Sequence, residues 1–280
     1  MISTTRLSVT VLATLLLLAT AATATDSPHP RLLLSPDDAQ RIRSELATAP
    51  GFAEALAATR AKTDQYFVTP PDVPVPVDPG GGYTHEQHKR NGTAIHDAGI
   101  LYQLTGESQY AAFARDLLFE YAALYPTLKR HPVDKSNVPG RMFWQSLNEA
   151  VWLVYAIQGY DAIIDTLSSE ERRRIEHGVL RPLADFISVE SPETFDRIHN
   201  HGTWAVAAVG MTGYVIGDDD YVQQALYGLK RDGKSGFMKQ LDLLFSPDGY
   251  YTEGPYYQRY ALMPFVLFAR SIQANNPELG

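Results

Sequence analysis

The chain has no cysteine among its 280 residues, and it has no excess of positive charge. Without cysteine there is neither a disulfide framework nor a thiolate metal site, so stability must come from a buried hydrophobic core. Lys and Arg number 24 against 32 Asp and Glu, which gives a net charge of −8 at pH 7. An acidic chain without a basic stripe is not typical of nucleic-acid-binding proteins, so we predict no nucleic-acid partner.

Long apolar runs are also absent, apart from one at the start of the chain. Arg6 precedes the apolar run Leu7–Ala19, and the small residues Ala22-Thr23-Ala24 follow it, a pattern typical of a cleavable export signal. The run is shorter than the roughly 20 residues of a membrane-spanning helix. We therefore predict a signal peptide at residues 1–24, export to the periplasm or the medium, no membrane anchor, and a single domain over residues 25–280.

The period of the apolar residues is helical almost throughout, and no run of residues is typical of a β-strand. Two irregular stretches, residues 68–84 and 126–140, separate helical pairs, and no fixed repeat period is present. This organisation favours an all-α fold of helical hairpins that curl into an α/α toroid rather than a regular solenoid. The predicted helices cover residues 36–46, 52–66, 92–105, 108–125, 141–157, 169–187, 202–216, 218–229, 237–245 and 255–274.

The dipeptide Asn200-His201 directly precedes the helix predicted to begin at Gly202. An amide and an imidazole at a helix N-terminus can donate hydrogen bonds to a carboxylate, assisted by the free backbone N–H groups of the first turn. The same dipeptide is also typical of an ordinary helix start, with Asn200 as the N-cap. From these residues alone the two interpretations stay open.

A second polar cluster follows Pro255, which we predict to be the first residue of the last helix. The first two turns of that helix carry Tyr256, Tyr257, Arg259 and Tyr260, spaced so that several of them are neighbours on the helix surface. Arginine suits bidentate carboxylate recognition, and a phenol beside cationic groups becomes able to transfer protons. The alternative interpretation is aromatic packing with a stacked arginine.

Three further polar residues lie where the sequence predicts a buried apolar helix. Gln145 and Asn148 are one turn apart, and Arg141 precedes Gln145 by one turn. Buried polar groups need partners, which a sugar or a neighbouring backbone carbonyl would supply equally well. Lys135 belongs to a basic loop that either attracts an anionic ligand or is simply solvated.

No metal or other cofactor is predicted for this chain. The sequence His85-Glu86-Gln87-His88 lacks the metalloprotease spacing of two histidines four residues apart. The acidic residues permit a second catalytic class, an inverting glycosidase, in which Glu149 and Glu253 would have to lie about 6.5–9.5 Å apart across a cleft. A third class is a non-catalytic helical module that binds oligosaccharides.

Residues 140–153, 200–204 and 248–260, together with the helix around residues 97–103, resemble the alginate lyases and heparinase-like lyases. The first three stretches read GRMFWQSLNEAVWL, NHGTW and DGYYTEGPYYQRY. The resemblance is greatest to the oligoalginate lyases of polysaccharide lyase family 17, and it extends over most of residues 29–280.

The resemblance implies an N-terminal α/α toroid and cleavage of uronic-acid oligosaccharides, such as alginate oligomers, by β-elimination. The expected partner is therefore an anionic oligosaccharide. By resemblance, Asn200 and His201 neutralise the substrate carboxylate, and Tyr257 transfers a proton. The residues expected around the sugar are Lys135, Tyr256, Arg259 and Tyr260.

The resemblance also implies that the protein continues beyond Gly280 into a β-sheet domain, which often carries a structural metal. The chain is therefore expected to be a fragment of a longer protein, truncated before that domain and with a toroid that need not be complete. Neither the residues nor the resemblance predicts an oligomeric state.

Overall fold

The computed structural model describes residues 28–133 and 138–279. Within these ranges the only β-structure is an isolated bridge between Phe245 and Tyr251. The all-α fold predicted from the periodicity is confirmed, and the helical hairpins are consistent with an α/α toroid. The helices are α1 (Pro36–Glu45), α2 (Phe52–Val68), α3 (Tyr83–Thr105), α4 (Ser108–Leu124), α5 (Ser146–Ile163), α6 (Ser169–Ile175), α7 (Arg181–Ser188), α8 (Pro192–Phe195), α9 (Asn200–Ile216), α10 (Asp219–Tyr227), α11 (Gly236–Leu244) and α12 (Pro255–Asn275).

Two of the predictions concern residues outside the described ranges. These are the signal peptide at residues 1–24 and the substrate-binding residue Lys135. In the part of the chain that is described, no helix is both long enough and apolar enough to cross a membrane.

Local sequence sets several helix starts. The Ser35 hydroxyl accepts the N–H of Asp38 at 3.1 Å, while the Asp38 carboxylate accepts the N–H of Ser35 at 3.2 Å. Ser168 and Glu171 form the same reciprocal cap at the start of α6. Such caps satisfy backbone groups that a helix end leaves without partners. The predicted starts of α1 and α6 are therefore confirmed.

Helix α3 begins at Tyr83, nine residues before the predicted start at Gly92. The extra turns carry polar side chains that are nevertheless buried, so the apolar period does not show there. His88 contacts the hydroxyl of Tyr121 at 2.8 Å, and Asn91 donates a hydrogen bond to the same hydroxyl at 2.9 Å. These hydrogen bonds offset part of the cost of burying polar side chains, although His85 Nδ1 and His88 Nε2 have no hydrogen-bond partner in the described parts of the chain.

The starts of α5 and α9 also differ from the predictions. Helix α5 begins at Ser146 rather than at residue 141, since residues 140–145 form an irregular turn whose backbone N–H groups bind a buried carboxylate. Helix α9 begins at Asn200 rather than at Gly202, because His199 and not Asn200 is the N-cap.

Helices α3, α5, α9 and α12 pack side by side in this order and form the centre of the molecule. Helices α3 and α5 approach closely at two glycines: a Cβ on Gly99 would lie 2.9 Å from the Gly159 Cα. Helix α9 is buried along almost its whole length, from Gly202 to Val215. This rigid central position fixes where the N-terminus of α9, with Asn200 and His201, meets its neighbours.

Candidate functional site

A pocket of about 380 Å³ lies where the N-terminus of α9 meets the first turns of α12. The dipeptide and the tyrosine-rich cluster, separated by more than fifty residues in sequence, form its two walls, and α5 contributes an apolar side chain. Six of the predicted site residues are thus brought together. The lining residues are Leu147, Asn200, His201, Tyr256, Tyr257, Arg259 and Tyr260.

The α9 wall begins with His199, whose extended backbone and side chain cap the helix. The Nδ1 atom of His199 accepts the N–H of His201 at 3.3 Å. The N–H of Asn200 is donated to Oε1 of Glu253 at 2.7 Å. These two N–H groups, predicted to be free for a substrate carboxylate, are therefore already bound within the protein. What the α9 wall presents to the pocket is the two side chains.

The Asn200 side chain has a defined orientation. It is 3% exposed, and its Nδ2 atom donates to Oε2 of Glu253 at 2.6 Å. An ionised carboxylate can only accept hydrogen bonds, so it must face the amide nitrogen rather than the amide oxygen. The second hydrogen on Nδ2 is left for a ligand.

His201 is half-buried beside His199, with the two rings edge to face and their centroids 4.9 Å apart. Burial, together with the neighbouring His199 and Arg197, lowers the pKa of His201 to about 4. The imidazole is therefore neutral near pH 7. A neutral ring has one N–H donor and one acceptor, so His201 can donate a hydrogen bond or accept a proton.

The α12 wall carries both exposed and buried tyrosines. Tyr256 is 70% exposed and Tyr257 is 46% exposed, and their rings meet edge to face. The Arg259 guanidinium lies 5.4 Å from the centre of the Tyr256 ring. Tyr260 packs on Trp204, and burial raises the pKa of Tyr260 to about 12. Tyr260 is thus held as a protonated hydrogen-bond donor, while Tyr257 is the more exposed of the two.

A family model described as alginate lyase matches residues 53–280. The chain belongs to the alginate lyase family. Over 279 residues it is 58% identical to an exo-oligoalginate lyase of Saccharophagus degradans, a match that covers 99% of this chain and 38% of that protein. Over 260 residues it is 54% identical to an alginate lyase of Stenotrophomonas maltophilia, covering 93% of this chain and 35% of that protein.

The resemblance to alginate lyases inferred from the motifs is therefore confirmed. The chain spans little more than a third of the length of the curated relatives it matches. Within this alginate lyase family chain, Leu147 is the lining residue that the motif analysis did not single out. An apolar residue on an apolar helix gives no sign in the sequence that it faces a pocket.

Three predicted substrate-binding residues do not line this pocket. Arg141 forms an ion pair with Glu190 at 2.7 Å, and its guanidinium lies 5.2 Å from the centre of the Phe186 ring. Gln145 is the N-cap of α5, and Asn148 is half-buried in the first turn of that helix. Their role in binding a substrate stays a prediction.

Neither glutamate proposed for a glycosidase lines the pocket. Glu149 is fully buried, and its Oε1 atom accepts the backbone N–H groups of Arg141, Met142 and Phe143 at 2.6, 2.7 and 3.1 Å. Glu253 is bound to the start of α9. Oε2 of Glu149 has no hydrogen-bond partner among the described residues, but it is buried and does not face the pocket lining. Because neither carboxylate lines the pocket, the geometry does not support a pair of acids acting across it.

His85 and His88 lie in the first two turns of α3, where both rings pack edge to face against Phe143. Burial lowers the pKa of both histidines, that of His88 to about 4. Across residues 28–133 and 138–279, no group of three or more His, Cys, Asp or Glu side chains is arranged to hold a metal ion.

Residues 228–235 have the spacing of a nucleotide phosphate-binding loop, Gly-x4-Gly-Lys-Ser, although we predicted no such loop. Such a loop follows a β-strand, whereas this one follows α10. Its Leu229 N–H and Ser235 hydroxyl both donate to the carboxylate of Asp196, at 2.9 and 2.7 Å. Because a carboxylate already takes these donors, the loop is a structural turn and not a phosphate site.

Proposed function

We propose that the chain is part of a lyase that cleaves uronic-acid oligosaccharides, most simply alginate oligomers, by β-elimination. The observation that carries the proposal is the meeting of the Asn200 amide and the neutral His201 imidazole with Tyr257 and Arg259 in one pocket. Membership of the alginate lyase family and the 58% identity to an exo-oligoalginate lyase support the same substrate class.

The first requirement of the reaction is to make the C5 proton of a uronate acidic. In the proposal, the free N–H of Asn200 Nδ2 and an N–H of His201 donate hydrogen bonds to the sugar carboxylate. These donors stabilise the negative charge that develops on the carboxylate oxygens when the proton leaves C5. Of the seven lining residues, Arg259 alone carries a formal charge, and it attracts the anionic sugar.

The second requirement is to protonate the departing oxygen. The electron pair of the C5–H bond forms the C4–C5 double bond, the C4–O4 bond breaks, and O4 takes a proton. We assign that proton to the hydroxyl of Tyr257, which lines the pocket and is 46% exposed, and the proton from C5 passes to a tyrosine of the same wall. In a mannuronate residue the C5 proton and O4 lie on the same face of the ring, so one wall carrying Tyr256 and Tyr257 can reach both.

The test is ultraviolet absorbance of the full chain mixed with mannuronate-rich oligosaccharides, because elimination creates a conjugated double bond. Tyr257→Phe should lower turnover by about 10²–10⁴-fold, the usual contribution of a general acid. The matched control is Tyr250→Phe, since Tyr250 is exposed and does not line the pocket. Unchanged turnover in Tyr257→Phe would contradict the assignment.

Binding is measured in parallel by calorimetry. Tight binding of the oligosaccharides without any new double bond would favour a non-catalytic binding module instead of a lyase. We also propose export through the predicted signal peptide at residues 1–24, which N-terminal sequencing of the protein recovered from its producing cells would test.

A further inference from the structure

The carboxylate of Glu253 connects the two walls of the pocket without lining it. Glu253 lies in the loop before α12, and its side chain is 19% exposed. Its Oε1 atom accepts hydrogen bonds from the Asn200 backbone N–H at 2.7 Å and from the Tyr251 hydroxyl. Its Oε2 atom accepts from Asn200 Nδ2 at 2.6 Å and lies 3.0 Å from His199 Nε2. Neither oxygen is left without a partner.

The charge of Glu253 follows from these contacts. Burial by itself raises the pKa of a carboxyl, but the hydrogen bonds from Tyr251 and Asn200 and the nearby His199 outweigh it, so that the pKa of Glu253 is held below its ordinary value. The group is therefore an anion that only accepts hydrogen bonds. Every partner must turn an N–H or O–H towards it.

This requirement determines where the proton on His199 sits. The Nδ1 atom of His199 accepts the His201 N–H, so the proton of the neutral ring is on Nε2, the atom that faces Glu253. The ring of His201 packs edge to face on the ring of His199, with an angle of 83° between them. The orientation of His201 in the pocket thus depends on a neighbour that Glu253 holds.

Glu253 also fixes the distance between the two walls. Tyr251 is fully buried and forms the isolated bridge with Phe245, and these contacts hold the loop before α12 against the core. Two residues after Glu253, Pro255 begins α12, which carries Tyr257. The carboxylate therefore ties the start of α12 to the start of α9. As an anion it also interacts favourably with the positive end of the α9 dipole.

We propose that Glu253 is a positioning residue, which sets the Asn200 amide and the His199–His201 pair in the orientation that receives a substrate carboxylate. The inference rests on the proposed function for its ligand, a uronate, but not for its geometry. Glu253 makes no contact with the substrate in this scheme and transfers no proton.

The variant Glu253→Gln keeps the shape of the side chain and removes one acceptor. Its single carbonyl oxygen can take the Oε1 position, which the Asn200 backbone N–H and the Tyr251 hydroxyl face, or the Oε2 position, which Asn200 Nδ2 and His199 Nε2–H face, but not both, because the other position becomes an NH₂ donor. The backbone N–H cannot rotate, so the carbonyl oxygen takes the Oε1 position and the NH₂ group faces Asn200 Nδ2 and His199 Nε2–H. One donor at the start of α9 must then turn away. If loss of the negative charge were the only consequence of Glu253→Gln, Asn200 and His199 would keep their orientation.

The experiment uses the full 280-residue chain with ¹⁵N-labelled histidine. In the wild type we expect the ring-nitrogen shifts of His199 to show a single Nε2–H form, and in Glu253→Gln a mixture of forms. Calorimetry with mannuronate trisaccharide should give an affinity about tenfold or more lower in the variant, the loss expected when a hydrogen bond to a charged group of the ligand is broken.

The matched control is Tyr251→Phe, which removes one hydrogen bond to Glu253 and leaves its contacts with Asn200 and His199 in place. It should keep the Nε2–H form and change the affinity less than about threefold. Thermal unfolding of all variants separates loss of fold from loss of orientation. Should Glu253→Gln fail to fold, His199→Gln tests the same connection and should lower the affinity several-fold.

Three results would overturn the inference. The first is Glu253→Gln with a wild-type His199 spectrum and affinity, and the second is an equal loss of affinity in Tyr251→Phe. The third is an unchanged affinity in His199→Gln. If the wild-type chain does not bind the trisaccharide at all, the proposed function fails for this chain, whereas the His199 spectrum still decides the role of Glu253.

Discussion

Two glutamates, Glu149 and Glu253, lie near the N-termini of two central helices, α5 and α9, and both carboxylates accept several hydrogen bonds. Glu149 receives three backbone N–H groups of the turn before α5, all on one oxygen. Glu253 receives the backbone and side chain of Asn200 and the hydroxyl of Tyr251, and it lies against His199. The first carboxylate orders a loop, whereas the second orders side chains at a pocket.

The two groups also differ in charge. Glu149 is completely buried, and burial raises its pKa to about 7 despite the three hydrogen bonds. Glu253 is only partly buried, and its hydrogen bonds hold its pKa below the ordinary value. The depth of burial therefore decides in which direction the pKa of the carboxyl shifts, and the identity of the donors decides which groups the carboxylate orders.

The largest effect that would sharpen this comparison is expected from Glu149→Ala. Removing the carboxylate leaves three buried N–H groups without a partner and opens a cavity, so the free energy of unfolding should fall by about 3–5 kcal/mol. Urea denaturation measures it. The control is Glu190→Ala, an exposed partner of Arg141, which should cost less than about 1 kcal/mol. A small loss of unfolding free energy in Glu149→Ala would mean that the turn before α5 is stable without the carboxylate.

The next effect is a loss of stability with rising pH, which the raised pKa of Glu149 should produce. Its pKa rises from 4.5 in the unfolded chain to about 7 in the fold, so the folded state holds the proton more tightly. The stabilisation from this group is complete below pH 4.5 and is lost as the pH rises through about 7, a change of about 3 kcal/mol. Glu253 has the opposite sign: its contribution is lost as the pH falls below its lowered pKa.

Urea midpoints from about pH 5 to about pH 8 measure this difference. The variant Glu149→Gln stays neutral and should lack the fall in stability at higher pH. Buried His88, with a pKa of about 4, changes the stability of both proteins equally at low pH, so it cancels in the comparison. Parallel curves for wild type and Glu149→Gln would contradict the raised pKa.

The smallest effect comes from a pair of glycines, one beside each glutamate-bound turn. A Cβ on Gly140 would lie 2.4 Å from the Phe143 carbonyl oxygen, and one on Gly202 would lie 1.9 Å from the Arg197 carbonyl oxygen. Each alanine variant should lose about 1–3 kcal/mol of stability through overpacking. Only Gly202→Ala should also weaken oligosaccharide binding, because Gly202 follows His201. Equal oligosaccharide affinities in Gly140→Ala and Gly202→Ala would contradict the conclusion that Glu149 orders a loop whereas Glu253 orders the binding site.

Much of the helical framework could be predicted from local sequence. The caps at Ser35 and Ser168 and the helix start at Pro255 depend on residues a few positions apart, and all three are where the sequence predicts them. The starts of α3 and α5 could not be predicted in this way. Their polar residues find hydrogen-bond partners elsewhere in the fold, such as Tyr121 for His88 and Asn91 in the first turns of α3.

The features of the site can likewise be separated into those that local motifs predict and those that depend on distant contacts. The motifs indicated which side chains form the pocket, and six of them do meet there. Their spacing predicted free backbone N–H groups at the start of α9, whereas Glu253 and His199 occupy them. No local pattern connects Glu253 with Asn200, since 53 residues separate them.

By itself, the sequence determined the all-α class, most helix positions and the family, because helical periodicity, caps and motifs depend on residues close together in the chain. Only the tertiary structure decided which N–H groups are free, which tautomer His199 adopts, and which of two similar glutamates has a raised pKa. These properties depend on burial and on partners from distant segments. They arise only when α5, α9 and the loop before α12 are packed together.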